Sequence, residues 1–307
     1  MTAEAVLIAG YLDYLERMCA YSPLTLRKHQ RICRWWIGFL HDRRGQSLST
    51  ATPDDLLAWI VERQASGTVR NSTIAAELCV FRTLYGFLFT YGRMGRNPAA
   101  ALPELICAPP AETVYLTVDE CFRLLDVFDT ADPLGRRNYV LVALLWSTGL
   151  RTAELCALDW ADLDLERATL LVRRGKGGKQ RQLFLNDRLR EDLRQYRQKL
   201  GAPASGPVFR AFSVNAPDGA RHQRLSQRQA VSVLRESAPK AGIAKRVTPM
   251  TLRHTFATHM YEAGVTLEEI REMLGHDNET ETTVYVHITL EAAKRFLNNH
   301  VANPCQY

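Results

Sequence analysis

A chain of 307 residues suits two domains of ordinary size, and 46% hydrophobic with 23% charged side chains predicts packed cores and excludes a disordered polymer. The formal charge of +6 permits a polyanionic partner without demanding one; residues 1–107 and 108–307 each carry three surplus basic side chains, so any nucleic-acid footprint must come from clustering. Seven scattered cysteines (19, 33, 79, 107, 121, 156 and 305), with no Cys-x-x-Cys pair, predict a reduced, cytoplasmic protein with neither a disulfide framework nor a zinc site.

The N-terminus lacks the basic start and long apolar run of a signal peptide, and no stretch is expected to span a membrane. Residues 4–20 place Leu7, Ile8, Tyr11, Leu12 and Leu15 at helical spacing, and Tyr21-Ser22-Pro23 ends the run. A second helix opens at Ser22 with Pro23 in its first position, turning Leu26, Ile32, Trp35, Trp36 and Phe39 inward. Its other face carries Arg27, Lys28, Arg31 and Arg34, which suits either DNA contact or a solvated amphipathic surface. Thr52-Pro53-Asp54-Asp55 caps a third helix, and residues 72–91 form a fourth packed through Leu78, Val80, Phe81, Leu84, Tyr85, Leu88 and Phe89. Four prolines within 97–112 mark a linker, which sets the domains at 1–107 and 113–307 with 108–112 as the end of the linker.

Helices dominate again up to Leu163. Thr169–Arg173 and Gln180–Leu185 then read as strands, joined by the hairpin signal Gly175-Lys176-Gly177-Gly178. From residue 225 the pattern returns to helices; Thr248-Pro249 starts one, and Thr266 with Glu269 forms a capping box on another that Gly275 closes. The fold class is mainly α, with a small antiparallel sheet in the second domain.

Four local patterns occur in order: Ser147-Thr148-Gly149-Leu150-Arg151-Thr152-Ala153-Glu154, then Gly175-Lys176-Gly177-Gly178-Lys179, then Thr251-Leu252-Arg253-His254, then Leu274-Gly275-His276 followed by Tyr285-Val286-His287. Each alone is weak, but the ordered set resembles the tyrosine recombinase (phage integrase) family. The length is similar to that of its Xer-type and simple transposon-borne members. The resemblance covers nearly the whole chain, and implies a helical core-binding domain ahead of a catalytic one, the two closing as a C-shaped clamp on duplex DNA.

The resemblance also implies roles. Arg151 and Arg253 would grip the non-bridging oxygens of the attacked phosphate, where planar guanidinium groups can make paired hydrogen bonds as charge builds up. Lys176, with Lys179 as competitor, would protonate the departing 5′ oxygen. His276 would hydrogen-bond the phosphate, and Tyr285 would form a covalent phosphotyrosine without metal or cofactor. Glu154, His254 and His287 would support these groups. The basic residues Arg173, Arg174, Lys179, Arg181, Arg221, Arg224 and Arg228 are candidate DNA-backbone contacts, each of which could singly be a solvated charge. The partners implied are a double-stranded recombination site and a tetramer, of this chain or with a paralogue, in which Leu290–Asn299 docks on a neighbouring subunit.

The sequence departs from the family's His-x-x-Arg-His pattern, because Met250 stands in its first position, and a thioether can neither accept a proton at neutral pH nor donate a hydrogen bond. Asp277, Glu279 and Glu281 also crowd carboxylates near Tyr285. These departures leave room for a rival reading, a DNA-binding accessory protein that has lost the chemistry.

Overall fold

The computed structural model describes residues 2–102, 104–107, 114–173, 180–211 and 223–275. The chain divides into two units, Met1–Ala111 and Glu112–Tyr307, and 61% of the described residues are helical.

In the first unit, α1 (Ala3–Arg17) begins where the Thr2 hydroxyl accepts the Ala5 N–H. In α2 (Pro23–Phe39), the Ser22 hydroxyl accepts from Thr25 N and Pro23 fills a position whose N–H would have had no partner. The chain continues through a wide turn at Leu40–Arg44 and leaves it at Gly45, whose φ of +59° suits a residue without a β-carbon. A reciprocal Thr52/Asp55 capping box opens α3 (Pro53–Ala65), and α4 (Asn71–Thr90) completes the set. Tyr11, Leu15, Ile32, Trp36, Leu56, Phe81 and Leu84 are buried together. The polar tips inside this core are satisfied. Trp36 Nε1 donates to Tyr85 Oη at 2.7 Å, and buried Glu77 accepts from Trp59 Nε1 and both Nε and Nη2 of Arg63.

Three expectations change here. Trp35 does not turn into the core but stays 45% exposed, covered in part by the guanidinium groups of Arg31 and Arg63 at 5.1 and 5.7 Å from its ring centre. Phe89 is exposed, because it lies on the outer side of the last turn of α4. Helix α4 is, by length and composition, apolar enough to cross a membrane; its apolarity serves the core, where Ile74, Leu78, Phe81, Leu84 and Leu88 are buried.

In the second unit, α5 (Val118–Asp126) precedes α6 (Pro133–Thr148), and α6 is buried on every side from Tyr139 to Thr148. It is the central helix, packed against α8 (Asp187–Lys199), α9 (Gln227–Lys240) and α10 (Pro249–Glu262). Between α7 (Thr152–Ala157) and α8 lies an antiparallel sheet of β1 (Leu163–Asp164), β2 (Thr169–Val172) and β3 (Arg181–Phe184), in that order. The strand β1, only two residues long, was not foreseen; β2 and β3 were, and they pair with Val172 opposite Arg181 at the hairpin end. The last described helix, α11 (Leu267–Leu274), starts at the Thr266/Glu269 capping box and ends at Gly275 with φ +63°.

Segment 114–117 is strapped onto α10. Thr255 Oγ1 accepts from Leu116 N, and His259 Nε2 lies 2.9 Å from Leu116 O. A carbonyl can only accept, so Nε2 carries the proton and Nδ1 accepts from Trp146 Nε1 at 3.2 Å. Burial lowers the pKa of His259, which keeps this core imidazole neutral.

Candidate active site

Three arginines far apart in sequence meet at the C-terminal end of α11. Gly149 makes this possible. It ends α6 at φ +61°, and a β-carbon there would lie 2.6 Å from both Leu274 Cδ2 and Phe256 Cδ1. Only glycine combines that backbone with that closeness. The chain then reaches Arg151 directly, at the N-cap of α7.

Helix α11 ends with consecutive carbonyls that no helical N–H can reach. Each is taken by a guanidinium group. Arg181 Nε donates to Met273 O at 2.9 Å, Arg253 Nη2 to Leu274 O at 2.7 Å, and Arg151 Nη2 to Gly275 O at 2.8 Å. Arg253 also donates Nη1 to Gly149 O at 2.7 Å, tying the end of α6 to the end of α11. Positive charge at the negative end of a helix is favourable, so the arrangement stabilises itself while it gathers cations.

One carboxylate sits among them. Buried Glu154 accepts Arg181 Nη1 and Nη2 at 2.9 and 2.7 Å, and Arg151 Nη1 and backbone N at 3.0 and 2.9 Å. Burial pushes the Glu154 carboxyl upward, but the hydrogen bonds from Arg181 and Arg151 outweigh it and hold the group below its ordinary value. Arg253 is pushed down to about 10, first by burial and then by the like charge of Arg151, yet it stays protonated at neutral pH. Three guanidinium groups against one carboxylate leave the cluster with a surplus of positive charge that suits an anion. Arg151 keeps 26% of its side chain open to solvent, and a guanidinium has five N–H donors, so carbonyl contacts do not exhaust it.

The structure thus brings together Arg151, Arg253 and Glu154, as the sequence motifs suggested. His254, beside Arg253 on α10, points outward and is exposed. Met250, on the second residue of α10, is 54% exposed. Lys176, Lys179, Arg174, Arg221, His276, Tyr285 and His287 lie outside the described residues, as does the segment Leu290–Asn299. Among the described residues no cluster of His, Cys, Asp or Glu is placed to hold a metal ion.

The basic residues offered as DNA contacts separate into two groups. Arg27, Lys28, Arg31, Arg34 and Arg228 are exposed. Three others are held by acidic partners of the same chain, Arg181 mostly buried and Arg173 and Arg224 still exposed. Arg173 pairs with Asp159 and Asp162 at 2.6 Å each, Arg224 pairs with Asp159 at 2.6 Å and donates to Cys156 O and Leu158 O, and Arg181 is spent on Glu154 and Met273. A phosphate would have to displace those carboxylates. Sequence reasoning missed this because each carboxylate partner lies 11 to 65 residues away, where no local pattern reveals it.

Fold and cluster together define a protein with a small helical domain followed by a mainly helical one that gathers three arginines around one carboxylate and the end of a helix. The phage integrase family matches residues 114–291, and the N-terminal SAM-like domain of phage integrases matches residues 8–92. The chain belongs to this family, that of the tyrosine recombinases. It is 30% identical over 306 residues to tyrosine recombinase XerC of Bacillus pumilus (strain SAFR-032), covering 98% of this chain and 97% of that one. With tyrosine recombinase XerC of Xanthomonas campestris pv. campestris (strain B100) it shares 32% over 293 residues, 94% of this chain and 87% of the other. Its fold is similar to that of the transposon Tn1549 integrase in complex with a circular intermediate DNA, with TM-score 0.66, 18% identity and coverage of 95% and 93%. It is similar too to a lambda integrase dimer bound to a COC′ core site, with TM-score 0.63, 18% identity and coverage of 91% and 98%.

Proposed function

We propose that this protein is a site-specific DNA recombinase that breaks and rejoins strands through a covalent 3′-phosphotyrosine. The observation that carries the reading is the convergence of Arg151 and Arg253 on the adjacent carbonyls of Gly275 and Leu274, with more positive charge than Glu154 neutralises. The site would take a phosphodiester against that surplus positive charge. As the Tyr285 oxygen attacks phosphorus, a new O–P bond forms and the P–O5′ bond breaks; the phenol passes its proton to a water molecule, and the departing 5′ oxygen takes one from Lys176. Negative charge on the non-bridging oxygens is greatest midway, where the two arginines and His276 would hold it. A 5′ hydroxyl from the partner duplex then reverses the step, which passes the strands through a Holliday junction.

The acting unit would be a tetramer on a double-stranded recombination site, of this chain or with a paralogue, working on chromosomal or mobile-element DNA in the bacterial cytoplasm. The matches to XerC proteins and the shared fold with DNA-bound integrases support this.

The test begins with duplexes enriched by binding from a randomised pool, each then nicked near the centre so that cleavage traps the adduct. The parent should form a protein–DNA adduct that resists denaturant, and Tyr285→Phe should bind the same duplexes without forming it. An adduct that survives in Tyr285→Phe removes that residue as the nucleophile. Met250 favours a second reading, an accessory DNA-binding subunit, and this stands if the parent binds tightly yet forms no adduct on any nicked duplex.

A further inference from the structure

Arg181 sits at the hairpin end of β3, opposite Val172, and is only 13% exposed at its side chain. Its location beside the glycine-rich basic sequence of residues 175–179 suggests a DNA contact, but each of its three guanidinium nitrogens has a partner within the protein. Two nitrogens form a paired contact with the two oxygens of Glu154, and the third donates to Met273 O. Glu154 in turn fixes Arg151 twice, through Nη1 and through the backbone N–H. Arg151 reaches the same turn two residues further on, at Gly275 O. The five residues form a closed ring: Arg181 to Glu154, Glu154 to Arg151, Arg151 to Gly275, and back along the chain to Met273 and Arg181.

We infer that Arg181 is a positioning residue for the reaction, a buttress that sets the guanidinium plane of Arg151 against the phosphate by holding Glu154 and the end of α11 in one register. This rests on the reading that Arg151 grips the attacked phosphate. Physical reasons favour the ring over a simple stabilising ion pair. Without Arg181, Glu154 keeps only Arg151 as a partner and its carboxylate is free to turn toward that one guanidinium, drawing it away from an incoming anion. Met273 O would lose its donor at the same time, loosening the turn that Arg151 caps. Misplacing a catalytic group by an ångström costs on the order of 100-fold in rate. The bidentate plane also explains why lysine should not substitute fully, since an ammonium cannot face both carboxylate oxygens in a fixed fork.

The test compares two substrates made from one nicked duplex enriched as above. One has a normal phosphate at the cleavage position; the other has a methylphosphonate, in which a methyl group replaces a non-bridging oxygen and the charge is gone. An ionic grip on phosphate has nothing to hold in the second. Single-turnover strand cleavage at saturating protein, counting covalent and hydrolysed products together, is measured for the parent, Arg181→Met and Arg151→Ala. Arg181→Met should bind the duplex within about twofold of the parent, cleave the phosphate about 10- to 100-fold more slowly, and narrow that gap several-fold on the methylphosphonate, as Arg151→Ala does. If Arg181→Met fails to fold, Arg181→Lys makes the same comparison and should show a smaller defect with the same narrowing.

A purely structural role predicts an equal loss on both substrates, and that result overturns the inference. So does normal cleavage by Arg181→Met beside an impaired Arg151→Ala. Normal cleavage by Arg151→Ala overturns the phosphate-grip reading itself, and the buttress with it.

Discussion

Met250 is the position at which a single substitution tests the proposed site. It occupies the second position of α10, three residues before Arg253, so the two lie about 60° apart around the helix. Arg253 is buried and pinned to Gly149 and Leu274, whereas Met250 is more than half exposed, leaving room for an imidazole of similar size at that position. The helix N-terminus disfavours the cationic form of an imidazole introduced there. It could then accept the proton of the Tyr285 phenol, whose ordinary pKa is about 10, or donate to the phosphate. General bases contribute about 10²- to 10⁴-fold elsewhere; with the site built around methionine, Met250→His should raise single-turnover cleavage of a nicked duplex by about tenfold. A variant that folds and binds equally well but cleaves more slowly than the parent would show that this position takes no part in proton transfer.

The junction of α6, α10 and α11 is where element packing becomes site geometry. Gly149 closes α6, touches α10 through Phe256 and α11 through Leu274, and offers its carbonyl to Arg253. Gly149→Ala would force a β-carbon into a gap of 2.6 Å on two sides and hold a left-handed backbone unfavourable to alanine. Overpacking costs about 1–3 kcal/mol and the backbone about 1–2 kcal/mol more, so thermal unfolding should fall by several degrees, with cleavage reduced further because Arg253 loses its register. An unchanged melting temperature would mean that α11 moves aside at no cost. Much of the helix punctuation was legible in the sequence. The capping boxes at Thr52 and Thr266, the proline starts at Pro23 and Pro249 and the glycine end at Gly275 are local signals, and each falls where the structure has it. The capture of the α11 carbonyls by three arginines was not legible, because it depends on chain crossings 21 to 124 residues apart. Trp35 was misplaced for a related reason: helical spacing fixes the side of α2 it lies on, but not that Arg31 and Arg63 would cover it.

At the scale of the whole molecule, charge is dispersed and only its arrangement can direct it to DNA. In the second unit much of the basic strip is neutralised internally, since Arg173, Arg181 and Arg224 are held by Asp159, Asp162 and Glu154. The exposed face of α2 differs. Arg27, Lys28, Arg31 and Arg34 project from one helix; Arg31 packs on the half-exposed Trp35 ring, and the four form no ion pair among those found in the described residues. Cations with no carboxylate to leave can meet phosphates without a prior cost, so this face should carry a large share of the non-specific affinity. Each phosphate neutralised on duplex DNA releases condensed counterions and contributes about −0.9 to the slope of log K against log salt. Replacing Arg27, Lys28, Arg31 and Arg34 together by glutamine should therefore make the slope shallower by about 2 to 4, weaken binding most strongly at low salt, and leave the melting temperature nearly unchanged, because none of the four is buried. Replacing Arg173 and Arg224 by glutamine should do the reverse, with little change in the slope and a lower melting temperature as Asp159 loses both partners. Fluorescence anisotropy titrations across a salt series, beside thermal melts of the same samples, separate the two. An unchanged slope in the α2 variant would return that face to a solvated surface and move the footprint elsewhere on the chain.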